Sequence, residues 1–251
     1  MSGAGARFEL DHRIHVLTRK EELDEVRVPG KVVVVLDILF ATTTMVAALG
    51  HGATEVLPVA DERAARAAGA GRTEDSYVLS GELLAETLPG FAHPAPLALL
   101  EHGVQGKTLI YSTTNGTVAM TLAAGAKRVY CGSLLNAGAV AAHVAAQHPG
   151  DTVLVLCSGS GGNFNLEDFY GAGCMVDRLE RALGKGADLS DAARTALAFF
   201  RSAQAPQVLL ECRVGRMMAR RGLAREVEFA CRIDSLPVVP VMREGSLRCV
   251  G

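Results

Sequence analysis

Four acidic residues and a set of hydroxyls fall where apolar runs hand over to turns. Asp37 closes the valine run of KVVVVLD and is followed, past Ala41, by Thr42, Thr43 and Thr44. Glu82 follows VLSG, and Glu167 and Asp168 follow the glycine-rich CSGSGGNFN, which carries Ser158. A further turn, STTNGT, supplies Thr113, Thr114, Asn115 and Gly116. Carboxylates are hard oxygen ligands suited to Mg²⁺, and a bound cation reconciles several acids with an anionic substrate. Small residues let a phosphate approach the backbone. Free N–H groups and the dipole at a helix start attract it, and hydroxyls add neutral donors. Each residue also has a purely local role open to it. Asp, Thr, Ser and Asn cap helices, and acids in a first helical turn are favoured by the dipole alone. Three such turns converging on one place shift the balance towards an anion site. Asp37, at the end of a buried strand, needs a partner or a metal to offset its desolvation.

The elements that must position these residues alternate. KVVVVLD reads as a strand buried on both faces, and TTTMVAALGHG as a helix ended by glycine. TEVLPVA, SYVLSG, KTLIYST, KRVYCGS and DTVLVLCSG read as strands. DERAARAAG, with Asp61 as its cap, NGTVAMTLAAG, NAGAVAAHVAAQH and LEDFYGAGCMVDRLERALG read as helices, and residues 188–231 as mainly helical. LPVVPVMRE is predicted at a sheet edge, because its two prolines withhold ladder donors. The alternation predicts a layered α/β/α fold on a mostly parallel sheet, in one unit over 1–251 with two lobes and a cleft. GKGADLSD (184–191) is the candidate lobe boundary. In an open parallel sheet, ligands bind beyond the carboxyl ends of the strands, so the three turns are expected on one sheet edge.

Composition narrows the function. The chain has 251 residues, 49% of them hydrophobic and 21% charged, which supports a substantial core. A net charge of -2, 5% aromatics and no tryptophan give no footprint for nucleic acid. No apolar run is long enough for a membrane span, and MSGAGARFELDH lacks the apolar region of a secretory signal. The six cysteines have no metal spacing and read as reduced, mostly buried thiols of a cytoplasmic protein. Asn163 stands where a tyrosine phosphatase loop needs arginine, which argues against Cys157 as a nucleophile. Leu39 stands where a haloacid dehalogenase needs its second aspartate. Walker A, G-x-S-x-G and G-x-G-x-x-G patterns are absent.

The blocks LDILFATTTMVAALGHGATEVLPV, LSGE, GKTLIYSTTNGTVAM, GSLLNAGAVA, VLVLCSGSGGNFNLEDFYGAG and VGRMMARRGLAREVEFACRIDSLPVVPV, in that order, resemble the 2-phosphosulfolactate phosphatase (ComB) family. The resemblance covers nearly the whole chain. It implies an Mg²⁺-dependent hydrolase acting on a small anionic phosphorylated substrate, (R)-2-phospho-3-sulfolactate or a relative, and leaves room for a homodimer. Carried over by position, Asp37, Thr42, Thr43, Thr44, Glu82, Thr113, Thr114, Asn115, Gly116, Glu167 and Asp168 fall in the family's motif blocks. The roles expected of them are our inference: catalysis by Asp37, Glu167 and Asp168, metal ligation by Asp37, Glu82 and Asp168, and substrate contact by the threonines, Asn115 and Gly116, with Ser158 added from its own turn. Three places depart from the family pattern. Phe40 and Leu83 each stand where arginine is usual, and the 90–97 loop reads GFAHPAPL. Charge-assisted bonds are worth ~1.5–3 kcal/mol each, so losing two would cost on the order of 10²–10⁴ in affinity or rate. Two readings follow: a phosphatase of this family, with Arg213 or Arg216 taking over substrate contact, or a non-catalytic relative that binds an anion.

Overall fold

The computed structural model describes residue 10, residues 12–184 and residues 186–250. Most of the N-terminal segment considered above as a leader lies outside the described residues, as does one residue of the 184–191 segment. In chain order the elements are β1 (Ile14–Leu17), β2 (Val32–Leu36), α1 (Ala41–Gly50), β3 (Glu55–Val59), α2 (Glu62–Gly69), β4 (Tyr77–Leu83), β5 (Glu86–Thr87), α3 (Pro96–His102), β6 (Thr108–Ser112) and α4 (Gly116–Leu122). There follow β7 (Arg128–Gly132), α5 (Ala137–Gln147), β8 (Val153–Cys157), α6 (Leu166–Leu183), α7 (Asp191–Ser202), α8 (Ala205–Glu211), α9 (Arg213–Arg220), α10 (Ala224–Ala230), β9 (Pro240–Arg243) and β10 (Ser246–Cys249).

The unbroken valine run of β2 follows from its position. Val32, Val34 and Leu36 pack into a core shared with α5, α6 and α7, while Val33 and Val35 enter a second core with α1 and α4. A strand with helices on both faces has no polar face to show. Layers of helix, sheet and helix are therefore as expected. Helix α1 is buried along Ala41–Leu49, which explains a sequence with no polar stripe other than threonine. Asp61 caps α2, accepting from the Ala64 N–H at 2.7 Å.

The sheet order is β1-β8-β2-β7-β9-β10-β3-β6-β4-β5. The first four strands are mutually parallel, and so are β3, β6 and β4. The steps β7–β9, β9–β10 and β10–β3 are all antiparallel. Three reversals leave the two parallel groups running in opposite directions. The expectation of one shared sheet edge is corrected accordingly: β2 and β8 end together, but β6 and β4 run the other way. The turns meet instead in a cleft, where loops leaving β2 and β8 touch loops leaving β6 and β4.

The segment LPVVPVMRE is also corrected. It forms β9 in the middle of the sheet, between β7 and β10, and not at an edge. Pro237 precedes the strand and Pro240 is its first residue, so neither interrupts a ladder that needs its N–H. Strand β1 and helix α3 were not foreseen. β1 is only four residues long; it pairs with β8, and Ile14 forms a single parallel bridge to Leu189.

Candidate active site

The turn after β2 is closed by the threonines. The Asp37 N–H donates to Thr42 Oγ1 at 2.8 Å, and the Thr42 hydroxyl lies 3.0 Å from the Asp37 carbonyl, to which it donates. Thr43 donates to the Ile38 carbonyl at 2.9 Å and Thr44 to the Pro94 carbonyl at 2.8 Å. All three threonines have zero exposure, so their hydroxyls brace the turn that presents Asp37 and do not line the cleft. The Leu39–Phe40 peptide bond in this turn is cis.

Asp168 ties this turn to the one after β8. Its Oδ1 accepts the Ile38 N–H at 2.9 Å and its Oδ2 the Gly159 N–H at 3.1 Å. Glu167 is buried beside it. Burial, with the charges of Glu82 and Glu167, pushes Asp37 up to about 7, against the Ala41 N–H and Lys20, which favour its anion. Asp168 is raised by burial first and then by Asp37 and Glu167, and Glu167 is raised by burial. The same burial pushes the Cys157 thiol well up, which leaves it protonated and inert as a nucleophile.

The other side of the cleft is knitted by Glu82. Its Oε1 accepts the Thr114 N–H at 2.6 Å, and its Oε2 accepts the Ala85 N–H at 2.6 Å and the Thr114 hydroxyl at 3.1 Å. Thr113 and Thr117 bond reciprocally at the start of α4, with Thr113 Oγ1 accepting the Thr117 N–H at 3.2 Å. Asn115 precedes α4 but its side chain does not cap it. Its Oδ1 accepts instead from Lys20 Nζ at 3.0 Å, and the same ammonium donates to the Ser158 carbonyl at 3.2 Å. Lys20 thus joins the turns after β6 and β8 and adds its charge near Asp37, and it was missed. It stands in the charged run TRKEELDE, which reads as a solvated surface, whereas the side chain is buried. Ser158 is fully buried, and its hydroxyl has no partner among the described residues.

Gly116 is where the two sides touch. A Cβ there would stand 2.9 Å from Asp37 Oδ2 and would overlap the Ala41 side chain. Overpacking of this kind costs about 1–3 kcal/mol. Gly116→Ala is therefore expected to lower the melting temperature by several degrees and to displace the Asp37 carboxylate. Thermal unfolding of the variant beside the wild type checks this; an unchanged midpoint would mean the two turns are not in contact.

Between the turns lies a cavity of about 440 Å³. Asp37, Glu82, Thr113, Thr114 and Asn115 line it, whereas Thr42, Thr43, Thr44, Gly116, Ser158, Glu167 and Asp168 stand behind its walls. Arg213, at the start of α9, faces it and is held by Ser160 and by Asn165 Oδ1 at 2.9 Å. Arg216 turns away to the Glu211 carbonyl. Phe40 lines the cavity; Leu83 does not, and is exposed. His93, also unforeseen, lines it from the 90–97 loop. Its Nδ1 accepts the Ala95 N–H at 3.1 Å, so the neutral ring carries its proton on Nε2.

The fit to a hard divalent cation is partial. Among the described residues, no group of three Asp, Glu, His or Cys side chains is arranged to hold a metal. The anticipated set of Asp37, Glu82 and Asp168 is not gathered into such a group: Asp168 stands behind the cavity wall, and Glu82 and Asp168 accept N–H donors that pin the turns. Asp37 is different: it faces the cavity with lone pairs to spare. Mg²⁺ characteristically takes one or two carboxylates and completes its shell with water and substrate phosphate. The charges agree with that. Four acids (Asp37, Glu82, Glu167, Asp168) outnumber two bases (Lys20, Arg213) here; burial favours the neutral forms of Asp37, Glu167 and Asp168, and a bound cation would shift them towards their anions.

Comparison with known proteins gives the chain's relatives. The family model described as 2-phosphosulpholactate phosphatase matches residues 17–245. A probable 2-phosphosulfolactate phosphatase of Carboxydothermus hydrogenoformans is 35% identical over 94% of this chain and 96% of its own length. One from Symbiobacterium thermophilum is 33% identical over 87% of this chain and 94% of its own. One from Clostridium beijerinckii is 28% identical over 94% of this chain and 99% of its own.

Proposed function

The chain belongs to the 2-phosphosulpholactate phosphatase family, and from that premise we propose that it hydrolyses (R)-2-phospho-3-sulfolactate, or a closely related small phosphorylated acid, to the hydroxy acid and phosphate. The observation that carries this reading is the wall of buried carboxylates around Asp37, set against the Lys20–Asn115 pair. A divalent cation beside Asp37 would hold these acids ionised and offset their repulsion of an entering phosphoryl group. Asp37 would hold Mg²⁺, and Glu82 and Asp168 would add charge while keeping their turns in place. When bound, Mg²⁺ supplies Lewis-acid polarisation of the phosphoryl oxygens and neutralises charge in the transition state.

The protein's own groups do the rest. Lys20 and Asn115 mark the place of the phosphoryl oxygens, next to Thr113 and Asp37 at the head of the cleft. Arg213, fixed by Ser160 and Asn165, pairs with the carboxylate of the acid. The Nε2–H of His93 is the donor available to the departing alkoxide. Glu82, the other acid lining the cavity, is held by the N–H groups of Thr114 and Ala85 and is not poised to relay a proton to or from Asp37. Attack by water is therefore favoured over a phosphorylated Asp37.

Phosphate release from phosphosulfolactate, phospholactate and an aryl phosphate, with Mg²⁺ and with EDTA, tests the reading. Release that depends on Mg²⁺ is expected from at least one of the hydroxy-acid phosphates and is abolished by EDTA. Folded protein that releases none would favour the other reading, an anion-binding relative in which Phe40 has displaced a needed arginine.

A further inference from the structure

Resting on that reading of the cleft, we propose that the acid dephosphorylated here carries an apolar substituent, branched alkyl or aryl, where phosphosulfolactate carries its sulfonate. The cavity wall has two kinds of lining. Its polar part includes Asp37, Thr113 and Asn115, with Lys20 bonded to Asn115. Its apolar part includes Leu39, Phe40, Val214, Met217, Met218 and Leu223.

The cations are used up before a third anion is placed. Lys20 acts through Asn115, and Arg213 is bound to the 158–165 loop, so these two answer the phosphate and the carboxylate. Arg216 is turned to the Glu211 carbonyl, and Arg221 to the Ala85 carbonyl and to Glu86 at 2.9 Å. The remaining titratable side chains on the cavity are Asp37, Glu82, His93 and Tyr111; two are acids, and the Tyr111 hydroxyl donates to the Pro94 carbonyl. A sulfonate lying against Phe40 and the methionines would lose hydration with no further unengaged cation on the cavity wall to replace it.

An apolar group meets the opposite situation. Arg213, Val214, Met217 and Met218 all reach the cavity from α9, so the helix sets its cation one turn from its apolar side chains. A 2-hydroxy acid has that same layout, with carboxylate and side chain on one carbon. Methionines adapt to varied shapes, and the rings of Phe40 and Tyr111 offer an edge or face to an aryl group. A volume of about 440 Å³ leaves room for one.

The test compares kcat/KM for four substrates with Mg²⁺ present: 2-phospholactate, (R)-2-phospho-3-sulfolactate, 2-phospho-3-phenyllactate and 2-phospho-4-methylpentanoate. A methylene in a fitting apolar pocket is worth roughly 10–200-fold. The phenyl and methylpentanoate compounds should therefore exceed phospholactate by at least about 10-fold, and the sulfonate should fall below it. Met217→Lys should reverse the order of phenyl and sulfonate compounds. Equal rates across the four, or a sulfonate preferred over phospholactate by the wild-type protein, would overturn the proposal while leaving the phosphatase reading intact. No turnover of any of the four would overturn both.

Discussion

Asp37→Asn is expected to remove Mg²⁺-dependent phosphate release, with a fall in kcat of at least about 10²-fold on the scale of lost transition-state electrostatics. At the same time it should make the metal-free protein more stable near pH 8. Both effects have one cause. Burial and the neighbouring acids raise Asp37 to about 7 from an ordinary value of 3.8. As pH rises, the unfolded chain gives up this proton first. The folded state is therefore penalised progressively from about pH 4 to about pH 7 and fully above that, by an amount on the order of a few kcal/mol. Asparagine keeps the shape without the charge and escapes that penalty. Added Mg²⁺ should raise the melting temperature of the wild type and leave the variant unmoved, since a ligand stabilises only the state that binds it. Thermal unfolding at pH 8 with and without Mg²⁺, beside steady-state rates, measures all of this. A variant that keeps its turnover, or that gains as much from Mg²⁺ as the wild type does, would exclude Asp37 as the metal's carboxylate.

Lys20→Met should give the second largest effect. The ammonium is buried and bonds Asn115 Oδ1 and the Ser158 carbonyl at 3.0 and 3.2 Å. Methionine fills the space and removes the charge. A charge-assisted bond is worth about 1.5–3 kcal/mol, so kcat/KM should fall by roughly 10–150-fold. The loss belongs mainly in KM for the phosphorylated acid, because the ammonium, acting through Asn115, supports the phosphoryl group in ground and transition states alike. Inorganic phosphate should weaken as a competitive inhibitor by a similar factor. Unchanged phosphate inhibition in a folded Lys20→Met protein would mean that the phosphoryl group sits elsewhere in the cleft.

How far the site was legible in the sequence depends on what each residue does. Asp37 was readable because a charge ending a run of valines is costly and demands a reason. The strands were readable from period and β-branching. The threonines were readable as part of the site but not in their role, since a hydroxyl that braces a turn and one that binds phosphate look the same in a sequence. Lys20 was hidden by its neighbours: in TRKEELDE every residue looks solvated, and only the tertiary fold carries this one inward. The reversal of the second parallel group could not be read either. It depends on β9 and β10, two four-residue strands near the end of the chain, entering between groups laid down far earlier. That insertion turns an expected sheet edge into a cleft and brings Gly116 against Asp37.

The departures at Phe40 and Leu83 separate in the same way. In the sequence they are two equal losses of arginine. In the fold Leu83 is an exposed residue beyond the Glu82–Thr114 junction, whereas Phe40 lies on the cavity wall. Only Phe40 is placed to change what the cleft accepts.

The most direct measurement is a crystal structure of the protein soaked with phosphate and Mg²⁺. The expected result is a phosphate between the Lys20–Asn115 pair and Asp37, with a metal bound to the Asp37 carboxylate. Phosphate found only outside this cleft, or Asp37 left without a metal while phosphate is bound, would contradict the assignment of the site.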